Sequence, residues 1–159
     1  MEILEWFAQQ PKPVIAQFGR AQGLPIASVN VHKVPVVIKA VRKLISLGHR
    51  RIVMLSRVER RKPTPGLHEQ AFLDELKAHG IQTGVYNLPD WDDTMIGFHR
   101  CIDSLFGVAP PTAMFICEAP QYIAAQHHLA QRGLVAPRDV SLICADPDLS
   151  FSWCIPSVL

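Results

Sequence analysis

Along this 159-residue chain, apolar and polar positions follow two rhythms. Over residues 35–47, Val37, Ala40, Val41, Leu44 and Ile45 recur at the three-and-four spacing that gathers side chains on one face of a helix, with Lys39, Arg42, Lys43 and Ser46 opposite. The same pattern predicts helices over 66–79, with Phe72, Leu73 and Leu76 inward, over 93–106, with Asp92 or Asp93 as N-cap, and over 120–132. Between them, short apolar runs at 51–55, 82–88, 112–117 and 140–144 predict strands. These runs are apolar throughout rather than alternating, as expected where helices cover both faces of a parallel sheet. Gly48, Gly80, Gly107 and Gly133 each follow a helical stretch and recur about every 30 residues, the length of one βαβ unit. Each is read as the left-handed residue just past a helix end. The expected fold class is therefore α/β: a doubly wound, mostly parallel sheet with helices on both faces.

The first thirty residues depart from this rhythm. A short helix over 2–9 and strands over 13–18 and 25–30 are expected, but the link 19–24 is too short for a helical crossover between parallel neighbours. Those strands are assigned to a different sheet, with 31–35 as a linker into the main domain.

Composition narrows the class. The chain is 48% apolar and 19% charged, which excludes a disordered or collagen-like protein. No apolar run approaches the ~18–20 residues of a membrane span, and the start, Met1-Glu2-Ile3-Leu4-Glu5, is acidic where a signal peptide is basic. A soluble, cytoplasmic protein is expected. A net charge of +2 is too small to argue for nucleic acid by itself. Thirteen prolines exceed the ~5% typical of globular chains, but they fall at the joints between elements. Cys101, Cys117, Cys144 and Cys154 are too widely spaced for a zinc or redox motif and read as free thiols. Adjacent His127 and His128 point to different sides of a helix, so no metal site is expected. No cofactor motif is present: the dinucleotide fingerprint, the P-loop and the Gly-x-Ser-x-Gly elbow are all missing.

Three runs carry a family resemblance. They are Leu44-Ile45-Ser46-Leu47-Gly48-His49-Arg50-Arg51-Ile52, Pro110-Pro111-Thr112-Ala113-Met114-Phe115, and Gly133-Leu134-Val135-Ala136-Pro137-Arg138-Asp139-Val140-Ser141-Leu142-Ile143. In this order and spacing, the chain resembles the effector-binding region of lac repressor-type (LacI/GalR) transcription regulators. The resemblance implies a two-lobed fold like that of periplasmic sugar-binding proteins, with a small-molecule effector in the cleft between lobes. Residues 1–30 then correspond to a remnant of the N-terminal lobe and 31–159 to the C-terminal lobe. DNA would be bound only through a helix-turn-helix module missing from this chain. The family's habit of pairing, together with two N-terminal strands lacking sheet partners, implies a homodimer.

Ligands of open α/β sheets bind beyond the carboxyl ends of the strands. Those ends are predicted at Ser56 onward, 89–91, 118–119 and 145–146. Asp146 matches the family's aspartate that bonds effector hydroxyls or amines; as a turn residue before Pro147 it has an ordinary reading too. Trp91 falls where the family has an aromatic stacked on the effector, or else packs a helix N-terminus. His68 replaces the arginine of the family's Arg-x-x-Gly-Phe, and Glu118-Ala119 replaces its usual Asn-Asp. These departures argue against an ordinary hexose. Arg57, Arg60, Arg61 and Lys62 form a basic loop, read either as solvated or as meeting an anionic effector, a uronate or phosphosugar. His49 is read as satisfying helix-end carbonyls through its imidazole, and Arg50 and Arg51 as structural. The expected site residues are thus Asp146, Trp91, His68, Glu118, Arg60 and Arg61, with no catalytic role. A Rossmann-like enzyme and a periplasmic transport receptor of the same fold are the alternatives.

Overall fold

A computed structural model describes residues 2–17, 23–29, 31–58 and 64–153. The chain divides into two compact units, Met1–Lys33 and Val34–Leu159.

In the first unit, helix α1 (Glu2–Ala8) precedes strands β1 (Ile15–Gln17) and β2 (Ala27–Val29). The two strands form a sheet of their own, as expected, but they pair in parallel, Ile15 opposite Ala27 and Gln17 opposite Val29. The length argument against parallel neighbours fails because each strand rises only about 10 Å, so the return between them needs no helical crossover.

The second unit contains α2 (Val34–Ser46), β3 (Ile52–Leu55), α3 (Leu67–Ala78), α4 (Met95–Val108), β4 (Ala113–Ile116), α5 (Ala119–Gln131) and β5 (Ser141–Cys144). Its sheet is parallel, in the order β3-β4-β5, with Leu55 opposite Ile116 and Ile116 opposite Cys144. Because side chains alternate across a strand, each apolar run serves two cores. Ile52, Met54, Ala113 and Phe115 pack with α2 and α3 through Val41, Leu44, Phe72 and Leu76. Val53, Leu55, Met114 and Ile116 pack on the other face with Phe98 and Ile102 of α4 and Ala125 and Leu129 of α5. β3 and β4 are buried along their whole length, whereas β5 is half-buried.

Residues 82–88 do not form the expected strand; a 3-10 turn covers Val85–Asn87. The carbonyls of Arg51 and Leu55 point toward β4. That of Ile52 points to the outer edge, where Asn87 Nδ2 donates to it at 2.9 Å, while the Gly84 N–H donates to Asn87 Oδ1 at 3.0 Å. One side chain thus occupies a position on the β3 edge where a fourth strand would pair, and Val85, read as a strand residue, is exposed.

Helix ends explain two further differences. At α2, α3 and α5 the glycines behave as expected: Gly48, Gly80 and Gly133 have φ of 93°, 73° and 76°. At α2 the Gly48 N–H donates to Ile45 O and the His49 N–H to Leu44 O. The His49 imidazole is not what satisfies these carbonyls: its backbone does, and Arg50 Nη1 donates to Ile45 O at 3.1 Å. Gly107, by contrast, lies inside α4, which runs on to Val108. The N-cap of α4 is Thr94, whose Oγ1 accepts from the Gly97 N–H at 3.0 Å, rather than Asp92 or Asp93. The Thr94 N–H turns back to the Asp92 carbonyl at 2.6 Å, and a side chain at Gly97 would collide with that carbonyl. Asp93 is engaged elsewhere.

Candidate functional site

The carboxyl edge of the β3-β4-β5 sheet carries charge in register. Arg57, Glu118 and Asp146 make up a row of strand ends, each two residues past Leu55, Ile116 and Cys144, which are themselves in register. Arg57 Nε lies 3.0 Å from Glu118 Oε2 and 3.2 Å from Oε1, and its Nη1 lies 3.5 Å from Asp93 Oδ2. Glu118 is buried at 9% exposure, so its charge has to be met by protein, and Arg57 meets it. The ends of β3 and β4 are thereby tied to the segment that leads into α4. Glu118 also occupies the N-cap position of α5, but its carboxylate makes no cap hydrogen bond.

Trp91 lies at the start of the same α4 segment. Its ring meets Phe98 edge-on, with centroids 4.9 Å apart, and the residue is 8% exposed. Among the described residues its Nε1–H has no hydrogen-bond partner. With Val58, Asp90, Asp92, Gly97, Arg100 and Cys101 it lines a cavity of about 470 Å³. A larger groove of about 710 Å³ runs along β5, walled by Tyr122, Gln126, Leu142, Leu149 and Phe151. None of the three row residues lines either hollow. Volume alone is a weak guide here, and the aligned charges mark the edge more specifically.

Among the described residues, no group of three or more His, Cys, Asp or Glu is arranged to hold a metal ion. Cys101, Cys117 and Cys144 are half-buried; Cys154 lies outside the described residues.

Residues 41–158 match the periplasmic binding protein-like domain family. The chain belongs to this family. No curated protein matches it. Solved structures similar to it include a sugar-binding transcriptional regulator of the LacI family from Escherichia coli complexed with phosphate. That match has 21% identity and a TM-score of 0.78 and covers 99% of this chain and 56% of the other. A LacI-family regulatory protein from Chloroflexus aggregans has 22% identity and a TM-score of 0.78, covering 98% and 56%. A complex of the transcriptional regulator CelR with cellobiose has 20% identity and a TM-score of 0.75, covering 98% and 55%. The chain thus spans little more than half the length of these neighbours. Identities this low establish the shared fold.

Within this periplasmic binding protein-like fold, the expected site residues separate. Glu118 and Asp146 sit on the carboxyl edge, Glu118 buried and Asp146 half-buried. Trp91 sits in the core beneath the start of α4, and His68 is exposed on the first turn of α3. Arg60 and Arg61 lie outside the described residues, as does Lys62. The pairing of Arg57 with Glu118 and Asp93 is not among the contacts expected from the sequence. The signal was present nonetheless: Arg57 and Glu118 each stand two residues past a buried apolar run, and parallel strands bring such positions side by side. Beyond the edge, Arg51 Nε donates to Pro110 O at 2.7 Å, tying the amino ends of β3 and β4 together, so Arg51 is structural as expected.

Proposed function

We propose that the chain is the effector-sensing part of a LacI-type transcription regulator, holding a small polar molecule, a sugar or sugar acid, at the carboxyl edge of its three-stranded sheet. The observation that carries this reading is the Arg57–Glu118 pair at the carboxyl ends of β3 and β4, with Asp146 two residues past β5, on the side of an open parallel sheet where ligands bind. Family membership supports it, as does the likeness to transcriptional regulators, one of them in complex with cellobiose. In this reading Asp146 accepts hydrogen bonds from effector hydroxyls or amines, and Trp91 bounds the site from below. Arg57 is held by two carboxylates, so an anionic effector would be met by Arg60 and Arg61. Effector binding would control DNA binding by a module outside this chain, in a cytoplasmic homodimer without catalytic activity.

Isothermal titration of the chain with neutral hexoses and disaccharides, hexuronates and hexose phosphates tests the reading. We expect heat of binding from at least one class, weakened at least tenfold by Asp146→Asn, the loss of roughly one charge-assisted hydrogen bond. For an acidic ligand, Arg60→Ala and Arg61→Ala are expected to weaken it similarly. Silence from every class, or affinities indifferent to Asp146→Asn, would overturn the proposal.

A further inference from the structure

Away from the carboxyl edge, α4 and α5 meet through a cluster built largely of imidazoles. The rings of His99 on α4 and His128 on α5 are stacked, with centroids 4.2 Å apart and planes within 8°. His128 Nε2 lies 2.7 Å from Asp103 Oδ1, and Arg132 Nη2 lies 2.6 Å from Asp103 Oδ2. Arg132 Nε also approaches His128 Nε2, at 3.1 Å. The side chain of His128 is only 11% exposed. His127, the other imidazole nearby, is exposed and bonded to Gln131.

Two contacts compete for one nitrogen. A carboxylate oxygen only accepts, so the bond to Asp103 requires a proton on Nε2. The approach of Arg132 Nε forms a hydrogen bond only when that proton is absent. With one imidazolium in the cluster, Asp103 faces two cations, the imidazolium and Arg132. Protonating both stacked rings would bring three cations together around one carboxylate, two of them face to face. The groups facing His99 are His128, Asp103, Arg132 and His127. Burial holds His99 below the ordinary imidazole range, and His128, Arg132 and His127 push it the same way against Asp103.

We propose that His99, His128, Asp103 and Arg132 form an acid-sensitive latch between α4 and α5, closed while at most one of the stacked imidazoles carries a proton and opened by protonation of the second. The sign follows from linkage. Because the folded protein binds a proton at His99 less readily than the unfolded chain does, the latch contributes fully above the ordinary imidazole value of about 6.5. That contribution is lost as pH falls through this value toward the lower folded one. The latch also bears on the carboxyl edge: Asp93 leads into α4, Glu118 opens α5, and Arg57 bridges them.

The test compares the 159-residue chain with His99→Gln, which removes one imidazole of the stack and leaves His128, Asp103 and Arg132 in place. Thermal unfolding is followed from about pH 7.5 to about pH 5.5, where histidine titrates. The Tm of the wild type is expected to fall by roughly 2–4 °C more than that of the variant over this interval. Equal falls would overturn the latch. Imidazole resonances of the wild type and of His128→Gln, followed by NMR over the same range, decide the matter independently should His99→Gln fail to fold. A His99 titration below the ordinary range that moves back toward it in His128→Gln supports the latch. Ordinary, independent titrations overturn it.

Discussion

The two faces of the β3-β4-β5 sheet are covered by helix pairs joined in different ways. On one face, Arg42 Nε reaches across from α2 to Glu75 Oε1 of α3 at 2.7 Å, with Nη2 3.3 Å from Oε2, a bidentate pair on a buried carboxylate. The neighbouring carboxylate holds the Arg42 guanidinium above its already high ordinary value, so this joint keeps its cation at any physiological pH. On the other face, α4 and α5 meet through the stacked rings of His99 and His128, with Asp103 and Arg132 beside them. The second pair also carries Trp91, Asp93 and Glu118 at its amino ends, beside the candidate site. One joint thus rests on a guanidinium–carboxylate pair, and the joint beside the proposed site rests on stacked imidazoles, the side-chain type that changes charge closest to neutral pH.

The largest test of this contrast removes one aromatic from each layer. Phe72 on α3 is fully buried and Phe98 on α4 nearly so. Phe72→Ala and Phe98→Ala are each expected to cost about 3–5 kcal/mol by urea unfolding. They differ in what else moves. Phe98 is the ring against which Trp91 packs, whereas Phe72 belongs to the opposite core. The emission of buried Trp91, read against Trp6 and Trp153, is expected to shift to the red in Phe98→Ala alone. A red shift of similar size in Phe72→Ala would show that the two layers are not mechanically distinct.

A smaller effect is expected where the layers share an edge. Asn87→Ala leaves the Ile52 carbonyl and the Gly84 N–H without the partners they now have. An expected loss of about 1–3 kcal/mol follows from uncovering these polar groups, again measured by urea unfolding. If the loss is under a few tenths, Asn87 is not what closes the β3 edge.

That edge also shows what can be read in a sequence of this kind. β3, β4 and β5 were legible because each is a compact apolar run, and the flanking helices because their apolar positions recur on one face. Once the strand ends are known, Glu118 and Asp146 follow as edge residues. Residues 82–88 misled because Val85, Tyr86 and Leu88 have the composition of a strand, while the outcome depended on one amide side chain meeting a backbone carbonyl from β3. Asp92 and Asp93 misled for a related reason. Either is a good N-cap by residue type, but Asp93 faces Arg57, and Thr94 stands where the helix begins. The parallel pairing of β1 with β2 is not legible from the length of their link, because a helical crossover is usual between parallel strands but not necessary. Pattern, in short, reveals what a residue can do locally; which partner claims it depends on register between segments far apart in the chain.

The smallest expected effects separate two glycines of the site-bearing layer that look alike in sequence. Each falls near the end of an apolar-periodic stretch, and each was read as a left-handed helix stop. Gly133 is one, with φ of 76° and with its N–H and that of Leu134 closing the last turn of α5. An alanine there has open space around its methyl group but a backbone its side chain disfavours, so Gly133→Ala is expected to cost about 1 kcal/mol. Gly107 lies within α4, is not at positive φ, and likewise has open space where a methyl group would go. Alanine there keeps the helical bonds and reduces the freedom of the unfolded chain, so Gly107→Ala is expected to gain about 0.5–1 kcal/mol. The two substitutions are chemically identical and sit at the carboxyl ends of neighbouring helices, so opposite signs in urea unfolding would isolate backbone conformation as the cause. Should Gly107→Ala also destabilise, the last turn of α4 is not helical in solution. The carboxyl-terminal end of α4 would then close as α2, α3 and α5 do, and its difference from α5 within the same layer would disappear.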